Sequence, residues 1–131
     1  MNCPICGYEQ CDEFIVDLFI CNACSHVFKK EPIIQEILLS ELHKFKSPVD
    51  DMRKLIEKKP NGYKIEFEFP TMMFYGLEAQ PSAFYNNNIN HYFNQRSLMV
   101  FLNRCGLKIE DQHNRWYGKI CLTNVKVVKV E

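Results

Sequence analysis

Two pairs of cysteines near the N-terminus constrain this chain more than any other feature. Each pair has the form C-x2-C, in Cys3-Pro4-Ile5-Cys6 and Cys21-Asn22-Ala23-Cys24, and 14 residues separate the pairs. Two intervening residues let the backbone turn back, so that both sulfurs of a pair can reach one ion. Four thiolates fill the tetrahedral shell that structural zinc prefers. We therefore predict a structural Zn²⁺ bound by Cys3, Cys6, Cys21 and Cys24, with no coordination position left for catalysis.

The other cysteines and the start of the chain suggest a reducing compartment. The cysteine count is seven, an odd number, and the chain opens without the basic and apolar stretches of a secretory signal. These features predict a cytoplasmic protein, in which clustered cysteines bind metal more often than they form disulfides. No apolar run approaches ~18 residues, so no membrane-spanning helix is expected.

Cys11 is expected to pack against its neighbours, His26 to lie on the surface, and Cys105 and Cys121 to be buried.

Charge divides the chain into two parts. Residues 1–28 contain four acidic residues and no Lys or Arg, whereas all 16 basic residues follow them. This shift predicts a zinc ribbon over residues 1–30 and a second domain over residues 31–131. Nucleic-acid binding needs Lys and Arg to displace counterions from phosphates, and a four-thiolate zinc site adds negative charge. The composition of the ribbon therefore argues against a nucleic-acid partner.

Local patterns predict an α/β arrangement after the ribbon. Residues 32–45 fit either a helix or a buried strand, and a helix is expected to begin at Pro48 with Ser47 as its N-cap. The other predicted elements are a strand over 13–20 in the ribbon, a strand over 63–69, a helix over 97–104 that ends at Gly106, and strands over 107–113 and 120–130. Residues 63–69 alternate between apolar and charged side chains, which indicates a sheet covered on one side only.

Several motifs, taken in order, resemble one known family. They are FICNACSHVF over 19–28, ILLSELHKFKSP over 37–48, NGYKIEFEFP over 61–70, and NHYF over 90–93 followed by SLMVFLNRCGL over 97–107. They resemble class I S-adenosylmethionine-dependent methyltransferases that carry an N-terminal zinc-binding domain, including sugar C-methyltransferases. The resemblance implies an α/β fold in which a zinc ribbon precedes a truncated, Rossmann-like C-terminal half, ordered β-α-β-α-β-β in a mixed sheet.

The family's cofactor site has no counterpart in this sequence. The family binds S-adenosylmethionine on a glycine-rich loop, but no two of the five glycines here lie within ten residues of each other. The sequence therefore argues against S-adenosylmethionine binding by this chain. Residues 86–89 read Asn-Asn-Asn-Ile where the C-methyltransferases carry Tyr-His-Glu-His. His91 is left as the one catalytic candidate, a general base, although a helix-capping or core-edge role is favoured.

A ligand pocket, if one remains, is expected within residues 71–92. Its lining would be aromatic and methionine side chains together with His91, namely Met72, Met73, Phe74, Tyr75, Phe84, Tyr85, His91 and Tyr92. Open α/β sheets bind ligands beyond the carboxyl ends of their strands, which is where this segment begins. The alternative is that these side chains only pack a long loop onto the sheet.

Three functional hypotheses follow. The first is a methyltransferase-like zinc protein without independent methyl transfer, which acts as a binding or accessory subunit. The second is a methyltransferase completed by another chain, and the third is a small zinc-ribbon adaptor for protein interactions. The family's fourth strand would be an open sheet edge in this chain, so a protein partner, a second copy of the chain or the ribbon hairpin is expected to cover it.

Overall fold

The computed structural model describes residues 2–15, 18–31, 42–71, 90–117 and 120–130. Its strands are β1 (Cys11–Ile15), β2 (Leu18–Cys21), β3 (Val27–Lys29), β4 (Lys64–Thr71), β5 (His91–Tyr92), β6 (Leu107–Tyr117) and β7 (Ile120–Lys129). Its helices are α1 (Pro48–Ile56) and α2 (Gln95–Cys105), with a 3-10 turn over Leu42–Lys44. The described residues therefore form a mixed α/β structure, with strands in two antiparallel sheets. None of the described helices is long and apolar enough to cross a membrane.

The first sheet joins the N-terminal segment to a strand from much later in the chain. Its order is β1-β2-β3-β5, and the strand predicted over 13–20 is divided between the antiparallel strands β1 and β2. β5 pairs with β3 through Val27 opposite Tyr92 and Phe28 opposite His91. The sheet thus contains residues from both sides of the boundary predicted near residue 30.

The second sheet has the order β4-β7-β6. β7 runs antiparallel to both neighbours, so β4 and β6 run in the same direction. Along β4 the side chains of Ile65, Phe67 and Phe69 are buried, while the charged residues between them are exposed. This alternation confirms the prediction that one face of the sheet is covered and the other is polar.

The first helix begins where the sequence predicts, although the Ser47 side chain does not cap it as predicted. α1 starts at Pro48 after Ser47, but the Ser47 side chain makes no capping bond, and the Ser47 backbone N–H donates to the Asp51 carboxylate at 3.1 Å. At the other end, the buried ammonium group of Lys129 donates to the carbonyl of Ile56 at 2.8 Å. A cation among the last carbonyls of a helix complements its dipole, which fixes the C-terminal strand to α1.

The second helix begins two residues before its predicted start, because a capping box defines its first turn. The Asn94 side chain accepts the Ser97 backbone N–H at 2.9 Å, and the Ser97 hydroxyl accepts the Asn94 backbone N–H at 3.0 Å. The helix ends at Gly106, as predicted, where a φ of 71° gives the left-handed conformation that glycine adopts without strain.

Among the described residues, an apolar core connects the cysteine pairs to the helices and the second sheet. Cys3, Cys21 and Cys24 belong to the same buried cluster as Phe67 of β4 and Phe101 of α2. Cys105 and Cys121 are buried as predicted, and Cys11 is partly buried against this core. The segment predicted as helix or strand over 32–45 lies outside the described residues as far as residue 41, as do the pocket candidates from Met72 to Tyr85.

Candidate metal centre

The fold brings the four predicted ligands together. The sulfurs of Cys3, Cys6, Cys21 and Cys24 all lie within 4.8 Å of one another. Two of the separations are 3.7 Å, between Cys3 and Cys24, and 3.5 Å, between Cys6 and Cys21. A tetrahedral ion with metal–sulfur bonds of about 2.3 Å holds its sulfurs about 3.8 Å apart. The arrangement of the thiols therefore fits a single metal ion bound by four sulfurs.

The two cysteine pairs have nearly the same backbone geometry. We call residues 3–8 knuckle 1 and residues 21–26 knuckle 2. In each, the N–H after the second cysteine donates to the carbonyl of the first cysteine, at 2.9 Å in knuckle 1 and 3.0 Å in knuckle 2. The residue making that bond is left-handed in both, with φ of 82° at Gly7 and 63° at Ser25. Each turn therefore directs both of its sulfurs to the same side.

Backbone N–H groups also point at the sulfurs. The Ile5 N–H lies 3.4 Å from the sulfur of Cys3 in knuckle 1, and the Ala23 N–H lies 3.3 Å from the sulfur of Cys21 in knuckle 2. Such donors stabilise a negatively charged sulfur and fix its orientation, as groups around metal ligands commonly do. The turns are therefore suited to holding thiolates.

The contact between Cys3 and Cys24 moves the pKa values of the two thiols in opposite directions. The Cys24 thiol beside Cys3 lowers the pKa of Cys3 to about 5, while the same contact raises the pKa of Cys24 well above its usual range. Burial raises the pKa of Cys6. A divalent cation between these sulfurs would replace the thiol protons and favour the thiolate form of the ligands. Burial likewise raises the pKa of Cys11 to about 12, and its sulfur lies 3.9 Å from the Tyr8 carbonyl.

Helix α2 holds both knuckles through two arginines. Arg104 donates to the carbonyl of Ile5 at 2.6 Å, and Arg96 donates to the carbonyl of Ala23 at 3.3 Å. Ile5 and Ala23 occupy the same position in their knuckles, directly before the second cysteine. A divalent ion with four thiolates carries a net charge of −2, so the two guanidinium groups also complement the charge of the occupied site.

The capping box of α2 makes further contacts with knuckle 2. The Asn94 side-chain amide donates to the carbonyls of Cys24 at 3.3 Å and Ser25 at 2.9 Å. The same side chain accepts the Ser97 N–H through its oxygen, so it caps the helix and holds the knuckle at once. The folding of knuckle 2 and the start of α2 are therefore coupled through one residue.

The prediction that His26 lies on the surface is wrong. His26 is fully buried, with its Nδ1 atom 3.0 Å from the Ser97 hydroxyl and its Nε2 atom 3.0 Å from Nδ1 of His91. His26 is the last residue of knuckle 2, and this end of the knuckle packs against α2 instead of facing water. The spacing of the cysteines carries no information about this docking, since the partners lie 65 and 71 residues further along the chain.

Hydrogen bonds join His26 to Ser97 on one side and to His91 on the other. The Ser97 hydroxyl accepts the Asn94 N–H and lies within hydrogen-bond distance of the Asn94 carbonyl and of Nδ1 of His26, while Nε2 of His26 lies 3.0 Å from Nδ1 of His91. The Nε2–H of His91 faces the carbonyl of Lys46 at 3.4 Å. Burial lowers the pKa of His26 well below its usual range and lowers the pKa of His91 to about 4. Both imidazoles are therefore neutral at pH 7 and link the two parts of the chain.

The structure places His91, the one candidate for a general base, in the core of the protein. His91 is 1% exposed and its Nδ1 atom is hydrogen-bonded to His26, as expected of a histidine at the core edge. Tyr92 beside it is also 1% exposed.

No protein-family model, curated protein or solved structure matches this chain. The class of the protein is therefore defined by its own features, which are a mixed α/β fold and a four-cysteine site that can hold a metal ion.

Proposed function

We propose that the four-cysteine site binds a structural Zn²⁺ ion and that the first 30 residues form a zinc ribbon. The observation that carries this proposal is the grouping of four sulfurs within 4.8 Å, on two knuckles with matching hydrogen bonds. Zinc accepts four thiolates without further ligands, and such closed sites stabilise folds and leave no position for a substrate. Zn²⁺ in this site would neutralise part of the thiolate charge and join the two knuckles to the core.

The proposed function of the whole chain is that of a methyltransferase-like binding or accessory subunit without independent methyl transfer. The strands β4 and β6 run in the same direction, and α2 lies between them in the sequence. In the sheet β7 lies between them and runs in the opposite direction, and this arrangement supports the methyltransferase likeness. The absence of a Gly-x-Gly loop from this sequence supports the lack of independent methyl transfer.

A metal measurement and a cofactor titration test these proposals separately. Elemental analysis of the purified chain should find one zinc per chain, and the Cys21→Ser variant should lose it while Cys121→Ser, a buried cysteine outside the site, keeps it. A metal content unaffected by Cys21→Ser would contradict the zinc proposal. Calorimetric titration of the zinc-loaded chain with S-adenosylmethionine should give no binding heat. Saturable heat would contradict the accessory role, whatever the zinc result.

A partner at the open sheet edge remains part of this proposal, with either another protein or a second copy of the chain as the partner. In the segment that resembles the family's fourth strand and the loop after it, residues 37–48, residues 37–41 lie outside the described residues and residues 42–44 form a 3-10 turn, so this part rests on the sequence resemblance. Light scattering coupled to size-exclusion chromatography measures the mass in solution. A dimer mass would support self-association, and a uniform monomer would remove it and leave the heterologous partner.

A further inference from the structure

Strand β6 lies at one edge of the second sheet and is the longest strand in it. It spans 11 residues and pairs with β7 along one side. Among the described residues, no strand pairs with its other side. Residues 113–116 of β6 are all exposed, although they alternate between the two faces of the sheet. An edge strand of this length offers a row of backbone N–H and C=O groups to a further strand.

An apolar groove lies beside the first half of β6, between this strand and α2. Its volume is about 350 Å³, and its lining includes Met99 and Leu102 of α2 and Ile109 of β6. Ile109 is opposite the buried Val127 of β7, so the groove is on the covered face of the sheet. When a strand adds to a sheet edge, pockets beside the edge receive its alternate side chains.

Helix α2 covers only this first half of β6. The Gln112 side chain donates to the side chain of Gln95, at the start of the helix, at 2.8 Å. The helix ends at Gly106, directly before β6 begins. It therefore lies over residues 107–112 and stops short of His113. A second copy related by a two-fold axis at His113 would have its own α2 on the far side of the axis, so the two helices would not collide.

Trp116 lies on the same face of the sheet as the groove. It is the one tryptophan of the chain and is 51% exposed, although it is opposite the buried Cys121. The register of β6 against β7 shifts between Ile109 and Asp111, so Glu110 is an extra residue. Without this bulge, two residues seven positions apart, such as Ile109 and Trp116, would be on opposite faces.

We infer that β6 is the interface between two copies of this chain, which pair antiparallel about a two-fold axis at His113. In this register Trp116 of each copy lies opposite Ile109 of the other and enters the groove beside it. Pairs of an aromatic and a β-branched side chain stabilise antiparallel strands, and tryptophan is a common anchor of interfaces. A two-fold interface repeats each contact, so both grooves are filled.

The charges on the other face of β6 are complementary in the same register. Asp111 of each copy lies opposite Arg115 of the other, so the interface contains two pairs of opposite charge. Arg115 donates to Glu68 of its own chain at 2.9 Å, and a guanidinium group has five N–H donors, enough for a second carboxylate. The apolar fit and the charge pairing together favour a second copy over an unrelated peptide. This edge is separate from the segment over residues 37–48 and does not depend on the methyltransferase resemblance.

The first test uses the full zinc-loaded chain. Light scattering should give a dimer mass that falls to the monomer mass on dilution, and the fluorescence of Trp116 should shift to longer wavelength as the dimer dissociates. Trp116→Ala should raise the dissociation constant of the dimer about tenfold or more. Leu55→Ala, which removes an exposed apolar side chain of α1 outside the groove, should leave it unchanged. Equal zinc content in all three proteins shows that the knuckles stay loaded.

A mixing experiment tests the register. Asp111→Arg and Arg115→Asp should each weaken the dimer, because like charges then face each other twice. An equimolar mixture of the two variants again places opposite charges at both positions, so native mass spectrometry should find heterodimers that are tighter than either homodimer. A wild type that is monomeric at every concentration, a dimer that Trp116→Ala and Leu55→Ala affect equally, or a mixture without preferred heterodimers would overturn the interface.

Discussion

The two knuckles have the same backbone turn and opposite surroundings. Gly7 of knuckle 1 is exposed, and a Cβ atom added there would meet nothing within 4 Å, so only its φ of 82° calls for glycine. Ser25 of knuckle 2 holds a similar φ with a side chain, while its carbonyl accepts a hydrogen bond from Asn94. The comparison teaches that the spacing of the ligands sets the turn, whereas contacts with α2 offset the strain of a non-glycine residue.

The last residue of each knuckle shows the same contrast. Tyr8 is 46% exposed, whereas His26 at the equivalent position of knuckle 2 is fully buried and hydrogen-bonded to Ser97 and His91. Knuckle 1 contributes the buried Ile5 to the core in the middle of its turn. Knuckle 1 is thus fixed to the core through Ile5 in the middle of its turn, and knuckle 2 is fixed through its last residue, His26. Four predictions test this difference, from the largest expected effect to the smallest.

Losing one ligand from either knuckle should have the largest effect. Cys6→Ser and Cys24→Ser should both abolish metal binding and unfold the chain, because structural zinc contributes on the order of 10 kcal/mol and whole domains have ~5–15 kcal/mol of stability. Elemental analysis and circular dichroism provide the measurements, with Cys11→Ser as the control that keeps both metal and fold. If Cys6→Ser kept its metal while Cys24→Ser lost it, the two knuckles would not share one ion.

Acid should weaken the contact between knuckle 2 and β5. Burial lowers the pKa of His91 from 6.5 to about 4 in the folded chain, so between these values the unfolded chain binds more protons. The contribution of His91 is complete above pH 6.5 and is lost as the pH falls toward 4, on the order of 3 kcal/mol in all. Urea unfolding of zinc-loaded protein at pH 7 and pH 5 measures the part lost over that interval, about 2 kcal/mol. The same loss in His91→Gln would show that the acid sensitivity arises elsewhere, for example from the thiolates.

Removing the Asn94 side chain, which joins knuckle 2 to α2, should lower the free energy of unfolding by about 2–3 kcal/mol. Asn94→Ala removes an N-cap, for about 1 kcal/mol, and leaves the carbonyls of Cys24 and Ser25 without their side-chain donor. Asn103→Ala, at an exposed position on the same helix, is the matched control and should stay within about 0.5 kcal/mol of the wild type. Equal denaturation midpoints for the two variants would show that Asn94 does not hold knuckle 2.

The left-handed residues should respond in opposite directions and by the smallest amounts. Gly7→Ala should cost about 1 kcal/mol, because a Cβ atom is strained at this φ even with open space around it. Ser25→Gly should be neutral or stabilise by up to about 1 kcal/mol, since glycine adopts this conformation freely. Denaturation midpoints of the zinc-loaded variants are the measurement. A neutral Gly7→Ala would mean that knuckle 1 adjusts its turn more easily than knuckle 2.

Much of the local structure could be predicted from the sequence. The start of α1 at Pro48, the alternating faces of β4 and the end of α2 at Gly106 all follow from short-range patterns of two to four residues. The four ligand candidates could be grouped for the same reason, because the C-x2-C spacing is itself a local constraint on the backbone. The short strands β3 and β5 were missed, since three and two residues are too few to show a period.

The sequence by itself determined the two knuckles, the amphipathic elements and the division of charge along the chain. Only the tertiary structure decided that His26, at the end of knuckle 2, is buried against α2 and contacts His91. The physical reason is the range of the interactions. Turns and alternating strands are fixed by neighbouring residues, whereas the pairing of His26 with Ser97 joins positions 71 residues apart and forms only when β3 and β5 align.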